Sequence, residues 1–95
     1  MKKDKMHQFI QYQDQIVDNL ETLKINLENC EEMGMEDIDD TLYNVILELI
    51  DETKSSDTIL GLSEIISRAK GIENRIDGWY AKEGITNIEL SWPQI

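Results

Sequence analysis

The sequence predicts a mostly α protein: a compact three-helix domain with a short C-terminal extended or β arm. Three observations support this prediction. Apolar residues recur at helical spacing in three separate stretches. Glycine and short polar clusters separate these stretches, and the residues before Pro93 alternate between apolar and polar. The 95 residues suit a single domain, 1–95, that buries a small core.

The first helix is predicted from about Asp4 to about Glu32. Its apolar residues recur at spacings of three, four or seven and form one narrow stripe, close to a coiled-coil seam. The stripe consists of Phe9, Ile16, Leu20, Leu23, Leu27 and Cys30. Gly34 is a natural end for this helix. Cys30 is the only cysteine, so we expect a buried, unreactive thiol and no disulfide within the chain.

The second helix is predicted from about residue 37 to about residue 54, with Asp37 as its cap. Its apolar face is the widest of the three, which predicts the central and most buried helix. That face comprises Ile38, Leu42, Val45, Ile46, Leu49 and Ile50, and it is widened by Tyr43 and Leu47. One stripe of this helix is predicted to stay exposed, and it contains Asp37, Asp40, Asn44, Glu48 and Asp51.

The third helix is predicted from about residue 57 to about residue 82, with Asp57 as its cap. A kink or an early end at Gly78 stays open, because glycine weakens a helix, and Gly84 is the expected terminator. The apolar residues at helical spacing are Leu62, Ile65, Ile66, Ala69, Ile72, Ile76, Trp79 and Tyr80. Aromatic residues at the end of this helix are expected to cover the core.

Residues 85–92 form the predicted arm, in which Thr86, Ile88, Leu90 and Trp92 share one side. No second strand is evident in the chain, so the arm packs on the helices, pairs with its copy in a dimer, or pairs with a partner. We favour a homodimer, with Ile88, Leu90 and Trp92 as self-association residues. The reason is that an extended backbone has donors and acceptors that helices are not expected to satisfy.

The most informative feature is a run of ten carboxylates without a basic side chain between Ile25 and Thr53. The net charge of −11 is large for this length. Such a run repels itself and is typical of a surface that faces something cationic. We therefore predict a partner protein with a basic surface. The predicted partner-binding residues are Glu28, Glu31, Glu32, Glu36, Asp37, Asp40, Glu48 and Asp51.

Two interpretations of this acidic surface stay open. Carboxylates three or four residues apart on a helix stand ~5–6 Å from each other, similar to phosphates along a DNA strand. The surface could then mimic DNA and occupy a nucleic-acid-binding groove. The alternative is a solvated face that only keeps the protein soluble, although soluble surfaces usually mix both signs of charge. In composition alone, the chain resembles small acidic proteins that block nucleic-acid-binding enzymes.

Other function classes find no support in the sequence. The acidic residues lack the order of a calcium-binding loop, and His7 is the only histidine. No catalytic, phosphate-binding or cofactor motif is present, so we expect a non-catalytic protein without a metal or a cofactor. The negative charge disfavours direct binding to nucleic acid or to an anionic membrane. The start of the chain lacks an apolar signal region, and we expect a cytoplasmic protein.

Arg68, Arg75 and Lys82 recur every seven residues on one side of the third helix. These residues either pair within the chain, as Glu64 with Arg68 and Arg75 over Trp79, or receive the acidic helix of a second copy. Together, these patterns predict a non-catalytic acidic binding protein that inhibits or antagonises a basic partner. The alternative is a structural or adaptor subunit that self-associates.

Overall fold

The computed structural model describes residues 2–34, 38–86 and 88–95 of the chain. These residues form three α-helices: α1 (Lys2–Glu32), α2 (Thr41–Ser55) and α3 (Ile59–Lys82). The predicted mostly α, three-helix architecture is confirmed. The helices pack against one another as an elongated bundle with principal-axis extents of 49 × 23 × 17 Å.

Long-range hydrogen bonds define the directions of the helices. The Gln13 side chain in the first half of α1 donates to the carbonyl oxygen of Thr53 near the end of α2, at 3.0 Å. Arg75 in the second half of α3 donates to the Asp39 carboxylate just before α2, at 3.4 Å. α2 is therefore antiparallel to both of its neighbours, and α1 and α3 run parallel to each other.

The core contains one apolar stripe from each helix, at the spacing that the sequence predicts. Five of the six stripe residues predicted for α1 are fully buried, and Phe9 packs against them partly buried. Every apolar residue predicted for α3 is buried. On α2, Tyr43 and Val45 are half-buried and Leu47 is 38% exposed, so its buried face is narrower than predicted. All three helices share the core.

α2 begins at Thr41 and not near Asp37, which lies outside the described residues. The Asp39 carboxylate accepts a hydrogen bond from the Thr41 amide at 3.0 Å and another from the Thr41 hydroxyl. This carboxylate satisfies one of the amides that a helix start leaves without a partner. The sequence suggested an acidic cap, but it did not indicate which of the neighbouring acids would bind the helix amide.

α3 begins at Ile59, and its cap is Thr58 and not the predicted Asp57. The Thr58 hydroxyl accepts a hydrogen bond from the Gly61 amide at 3.0 Å. The early end at Gly78 that the sequence left open does not occur, because α3 continues to Lys82 as one helix, as predicted. The buried side chains on both sides of Gly78 stabilise the helix by more than the ~1 kcal/mol that one glycine costs.

Two glycines with positive φ follow helices at the positions where the sequence predicts helix ends, Gly34 (φ 68°) and Gly84 (φ 73°). After α3 the Ile85 amide donates to the carbonyl oxygen of Tyr80 at 2.9 Å, and the Gly84 amide donates to that of Ala81 at 3.2 Å. This pair of hydrogen bonds is the Schellman motif, which requires the left-handed backbone that glycine adopts without strain.

The tail, residues 85–95 apart from residue 87, lies along the bundle and contains no helix or strand within its described residues. The predicted β arm is therefore not confirmed. Ile88, Leu90 and Trp92 are half-buried against the core, on the side formed by α1 and α3. The tail follows these two helices back toward their first turns, because Ile95 lies beside Met6 and Ile59.

Candidate functional site

Seven carboxylates of α1 and α2 form what we call the acidic face. Six of them are exposed and Glu28 is half-buried. On α1 these acids recur at spacings of three, four and seven, and on α2 at spacings of three and eight, so each set lies on one side of its helix. The acidic face consists of Glu21, Glu28, Glu31, Glu32, Asp40, Glu48 and Asp51.

The antiparallel packing of α1 and α2 places the two sets of acids side by side. Lys54 lines a shallow groove together with Val17 and Asp18, so the end of α2 lies beside the middle of α1. At equal rise per residue this alignment places Asp51 near Glu21, and it places Asp40 near the end of α1. Acids that lie far apart in the sequence are therefore at similar heights along the bundle, and Lys24 lies among those of α1, three residues after Glu21 and four before Glu28.

Two further acids, Asp39 just before α2 and Glu52 on it, have a different electrostatic environment. Glu52 pairs with Arg68 of α3 at 3.4 Å, and Asp39 pairs with Arg75 at the same distance. These are the two ion pairs found among the side chains that the structure describes, and neither includes a carboxylate of the acidic face. The acids on and just before α2 thus fall into two groups, one paired with α3 and one without an ion pair among the described side chains.

The arginines of α3 bind within their own chain. Arg68 pairs with Glu52 and not with the predicted Glu64. Arg75 lies over the Trp79 ring, 5.5 Å from its centroid, as predicted, and also pairs with Asp39. Their guanidinium groups already have carboxylate partners, which argues against their reception of an acidic helix from a second copy.

Six of the eight predicted partner-binding residues lie in the described part of the chain: Glu28, Glu31, Glu32, Asp40, Glu48 and Asp51. All six belong to the acidic face. Glu36 and Asp37 lie outside the described residues. Glu21 was not among the predicted partner-binding residues, and the alignment of α1 with α2 places it at the height of Asp51.

A second group of carboxylates, on α3, holds the tail. The Asp77 carboxylate accepts a hydrogen bond from the Ile88 amide at 2.8 Å. One oxygen of Glu73 accepts from the Leu90 amide at 3.3 Å, and the other accepts from the indole nitrogen of Trp92 at 3.0 Å. Glu73 and Asp77 are one helical turn apart, so they reach alternate amides of the tail.

α1 holds the opposite edge of the tail. The side-chain amides of Gln15 and Asn19 both donate to the carbonyl oxygen of Ser91, at 2.7 and 2.8 Å. The reason for predicting self-association through the tail is therefore wrong, because helix side chains satisfy several of its backbone groups. Self-association through Ile88, Leu90 and Trp92 itself stays a prediction.

Sequence reasoning missed these anchoring residues. Gln15, Asn19, Glu73 and Asp77 border the apolar stripes of their helices at a spacing of four, which places each pair on one side of a helix. That spacing was the available signal. It did not show that the tail would lie between the two pairs, because the tail is more than seventy residues from α1 in sequence.

The only cysteine is buried in the bundle. Burial raises the pKa of the Cys30 thiol, and a hydrogen bond with Tyr80 opposes this effect in part. Burial also raises the pKa of Tyr80, whose hydroxyl donates to the Asn26 side chain at 2.7 Å. A protonated, enclosed thiol is a poor nucleophile, which agrees with the predicted role of Cys30 in the core.

Among the described residues, no group of three or more histidine, cysteine, aspartate and glutamate side chains has a geometry suited to holding a metal ion. None of the three helices, over the residues described, is long and apolar enough to span a lipid bilayer.

The chain was also compared with known proteins. No protein-family model, no curated protein and no solved structure matches it.

Proposed function

We propose that this protein is a non-catalytic binding protein that covers a basic surface of a partner protein with its acidic face. It would act as an inhibitor or antagonist, and a nucleic-acid-binding protein is the kind of partner that its charge fits. One observation carries the proposal. Asp39 and Glu52 have arginine partners on α3, whereas Asp40, Glu48 and Asp51 are exposed and belong to neither of these ion pairs.

Repulsion between neighbouring carboxylates has an energetic cost within the free protein. Like charges at helical spacing destabilise a helix by ~0.2–0.5 kcal/mol per pair. Solubility does not require such an arrangement, since interspersed charges of both signs keep proteins soluble. A basic partner would convert this repulsion into attraction and would also increase the association rate. The acidic face is therefore better explained by binding than by solubility.

The charge density of the acidic face supports DNA mimicry. From Glu21 to Glu32, α1 rises by ~17 Å, and α2 places Asp40, Glu48 and Asp51 beside the same stretch. The seven carboxylates together with Lys24 then provide roughly one net negative charge per ~3 Å. Duplex DNA has one charge per ~1.7 Å of axis and a single strand one per ~3.4 Å. The acidic face lies between these two densities.

The proposal is tested by capture of partners from lysate of the source cells with the intact protein as bait. We expect a basic protein that elutes as the salt concentration rises, because screening weakens contacts between exposed charges. Duplex DNA added in excess should displace the bait from that protein. A captured partner that resists salt and is not displaced by DNA would contradict DNA mimicry. A partner without a basic surface would contradict the whole proposal.

The isolated protein should not bind nucleic acid itself. With a net charge of −11 it repels phosphates at physiological salt. A gel-shift experiment at micromolar protein with duplex DNA and with RNA should therefore show no shift. A clear shift would mean that Arg68, Arg75 and Lys82 leave their intramolecular contacts and form a nucleic-acid interface, against the proposal.

A further inference from the structure

Two exposed apolar side chains lie among the carboxylates of the acidic face. Ile25 of α1 is 54% exposed and lies four residues after Glu21 and three before Glu28. Leu47 of α2 is 38% exposed and lies four residues before Asp51. At these spacings each apolar side chain is on the same side of its helix as the neighbouring acids. The acidic face therefore presents apolar as well as charged groups to solvent.

The packing of α1 against α2 brings these two side chains to the same groove. Asp18 and Lys54 line the shallow groove between the two helices. Ile25 follows Asp18 by seven residues and Leu47 precedes Lys54 by seven, so each lies two turns further along the same side of its helix. Because the helices are antiparallel, both steps of ~10 Å lead in the same direction along the bundle. Ile25 and Leu47 therefore border one groove at the same height, and we call them the apolar pair.

The apolar pair does not serve the core of its own molecule, because neither residue belongs to the core or packs against it. A single exposed apolar residue is ordinary on a protein surface, but an apolar centre within a charged rim is typical of a binding interface. The centre supplies most of the affinity, and the rim excludes water and steers the partner. A partner of the acidic face is therefore expected to offer an apolar group between its cations.

The spacing of charge indicates which nucleic acid such a partner would bind. With Lys24 included, the acidic face has roughly one net negative charge per ~3 Å, close to the ~3.4 Å of a single strand and well above the ~1.7 Å of duplex DNA. Single strands also expose their bases, and proteins bind them with cations and with aromatic side chains on which the bases stack. Duplex-binding surfaces make at least half of their hydrogen bonds to phosphate and sugar instead. Carboxylates on either side of an apolar pair match the single strand better.

Given the proposed function, on which this step rests, we infer that the partner binds single-stranded nucleic acid and that an aromatic side chain of its groove packs on the apolar pair. In this complex the carboxylates take the places of phosphates, and Ile25 and Leu47 take the place of a base. Lysine and arginine side chains of the groove pair with Glu21, Glu28 and Asp51 around the aromatic ring. The acidic rim then attracts basic partners in general, and the apolar pair selects among them.

Displacement of the captured partner compares the two kinds of nucleic acid. Single-stranded DNA or duplex DNA is added to the complex at equal salt and at equal phosphate concentration. The single strand should release the partner at a concentration at least about tenfold lower, because its bases can stack on the aromatic side chain. A duplex that is equally or more effective would overturn the inference, while elution by salt would still support the proposed function. The two proposals can therefore fail separately.

Two synthetic peptides test the aromatic contact without the natural partner. Both contain the same number of lysines, separated by tryptophans in one peptide and by alanines in the other. Calorimetric titration of the intact protein should show at least about tenfold tighter binding of the tryptophan peptide, because only this peptide can cover the apolar pair with a ring. Equal affinities for the two peptides would overturn the aromatic contact.

A matched pair of double variants locates the contact. Ile25→Ser with Leu47→Ser removes the apolar pair without a change of charge. Ile10→Ser with Leu60→Ser removes two apolar side chains outside the acidic face, which are 50% and 71% exposed. The first variant should lose the preference for the tryptophan peptide and keep its affinity for the alanine peptide, and the second should keep both affinities. A preference that survives in the first variant, or disappears equally in both, would overturn the assignment of the contact to Ile25 and Leu47.

Discussion

The acidic face and the part of α3 that holds the tail use the same chemical group, the carboxylate, in different ways. On α3, Glu73 and Asp77 accept hydrogen bonds from the tail, so their charge contributes to the fold. On the acidic face, Asp40, Glu48 and Asp51 are exposed next to other acids, and their charge opposes the fold. The comparison shows that the number of acids in a sequence does not indicate their role. Their role depends on the donors that the fold brings near them.

The largest effect is expected where the tail covers the core. Trp92→Ala removes a half-buried aromatic ring together with the indole donor to Glu73. Buried tryptophan truncations cost ~3–5 kcal/mol, so about 2 kcal/mol is expected for a half-buried ring. Urea denaturation measures the loss. Leu60→Ala is the control, because Leu60 is 71% exposed and its truncation should change stability little. Equal losses in both variants would show that the tail adds no stability.

The next effect isolates the Glu73 carboxylate that holds the tail. Glu73→Ala removes the acceptor of two hydrogen bonds from the tail, and about 1.5 kcal/mol of stability should be lost. Glu64→Ala removes the same charge from an exposed position of the same helix and should change stability by less than ~0.5 kcal/mol. Stability is again measured by denaturation. If the two variants are equally stable, Glu73 does not anchor the tail.

Neutralising the two groups of acids on and just before α2 should change the stability of the protein with opposite signs. Combined Asp40→Asn, Glu48→Gln and Asp51→Asn should stabilise the protein by roughly 0.5–1 kcal/mol, since repulsion is relieved. Combined Asp39→Asn and Glu52→Gln should destabilise it by a similar amount. Each of these changes removes an ion pair with α3, and exposed pairs contribute ~0.2–1 kcal/mol each. Thermal unfolding of both variants at low salt measures the difference. Stability changes of the same sign in both variants would contradict the division of these acids into two groups.

The core and the helix ends were largely predictable from the sequence. The stripes of α1 and α3 follow from spacing alone, and Gly34 and Gly84 follow from the backbone that a helix end requires. The side chains that bind the helix-start amides, Asp39 and Thr58, lie two residues and one residue after the predicted caps, because acidic neighbours have equal local suitability. The position of the tail was not predictable, since it depends on contacts between distant parts of the chain.

The candidate site was predictable in composition but not in arrangement. The run of acids was evident, and six of its predicted binding residues are on the acidic face. The pairing of Asp39 and Glu52 with arginines of α3 was not predictable, because it depends on the antiparallel packing of α2 and α3. The position of Glu21 relative to the acids of α2 was not predictable either, because it depends on the packing of α1 against α2.

The smallest effect concerns pH. Burial raises the pKa of Cys30 and of Tyr80, so the folded protein keeps protons that the unfolded chain loses. Their contribution to stability is full below the ordinary thiol pKa of ~8.5 and is lost as pH rises above it. The free energy of unfolding should fall in this alkaline range, and Cys30→Ala should reduce the slope. A slope of the opposite sign would contradict the raised pKa values.

The most direct test of the central claim compares two variants of equal charge. One combines Asp40→Asn, Glu48→Gln and Asp51→Asn on the acidic face. The other combines Glu64→Gln, Glu83→Gln and Glu89→Gln, which are exposed on α3, just after it, and on the tail. Calorimetric titration against the captured partner measures both affinities. The acidic-face variant should bind at least about tenfold more weakly, a loss of ~1.4 kcal/mol, while the control retains nearly the full affinity. Equal affinities for the two variants would contradict the claim that the acidic face binds the partner.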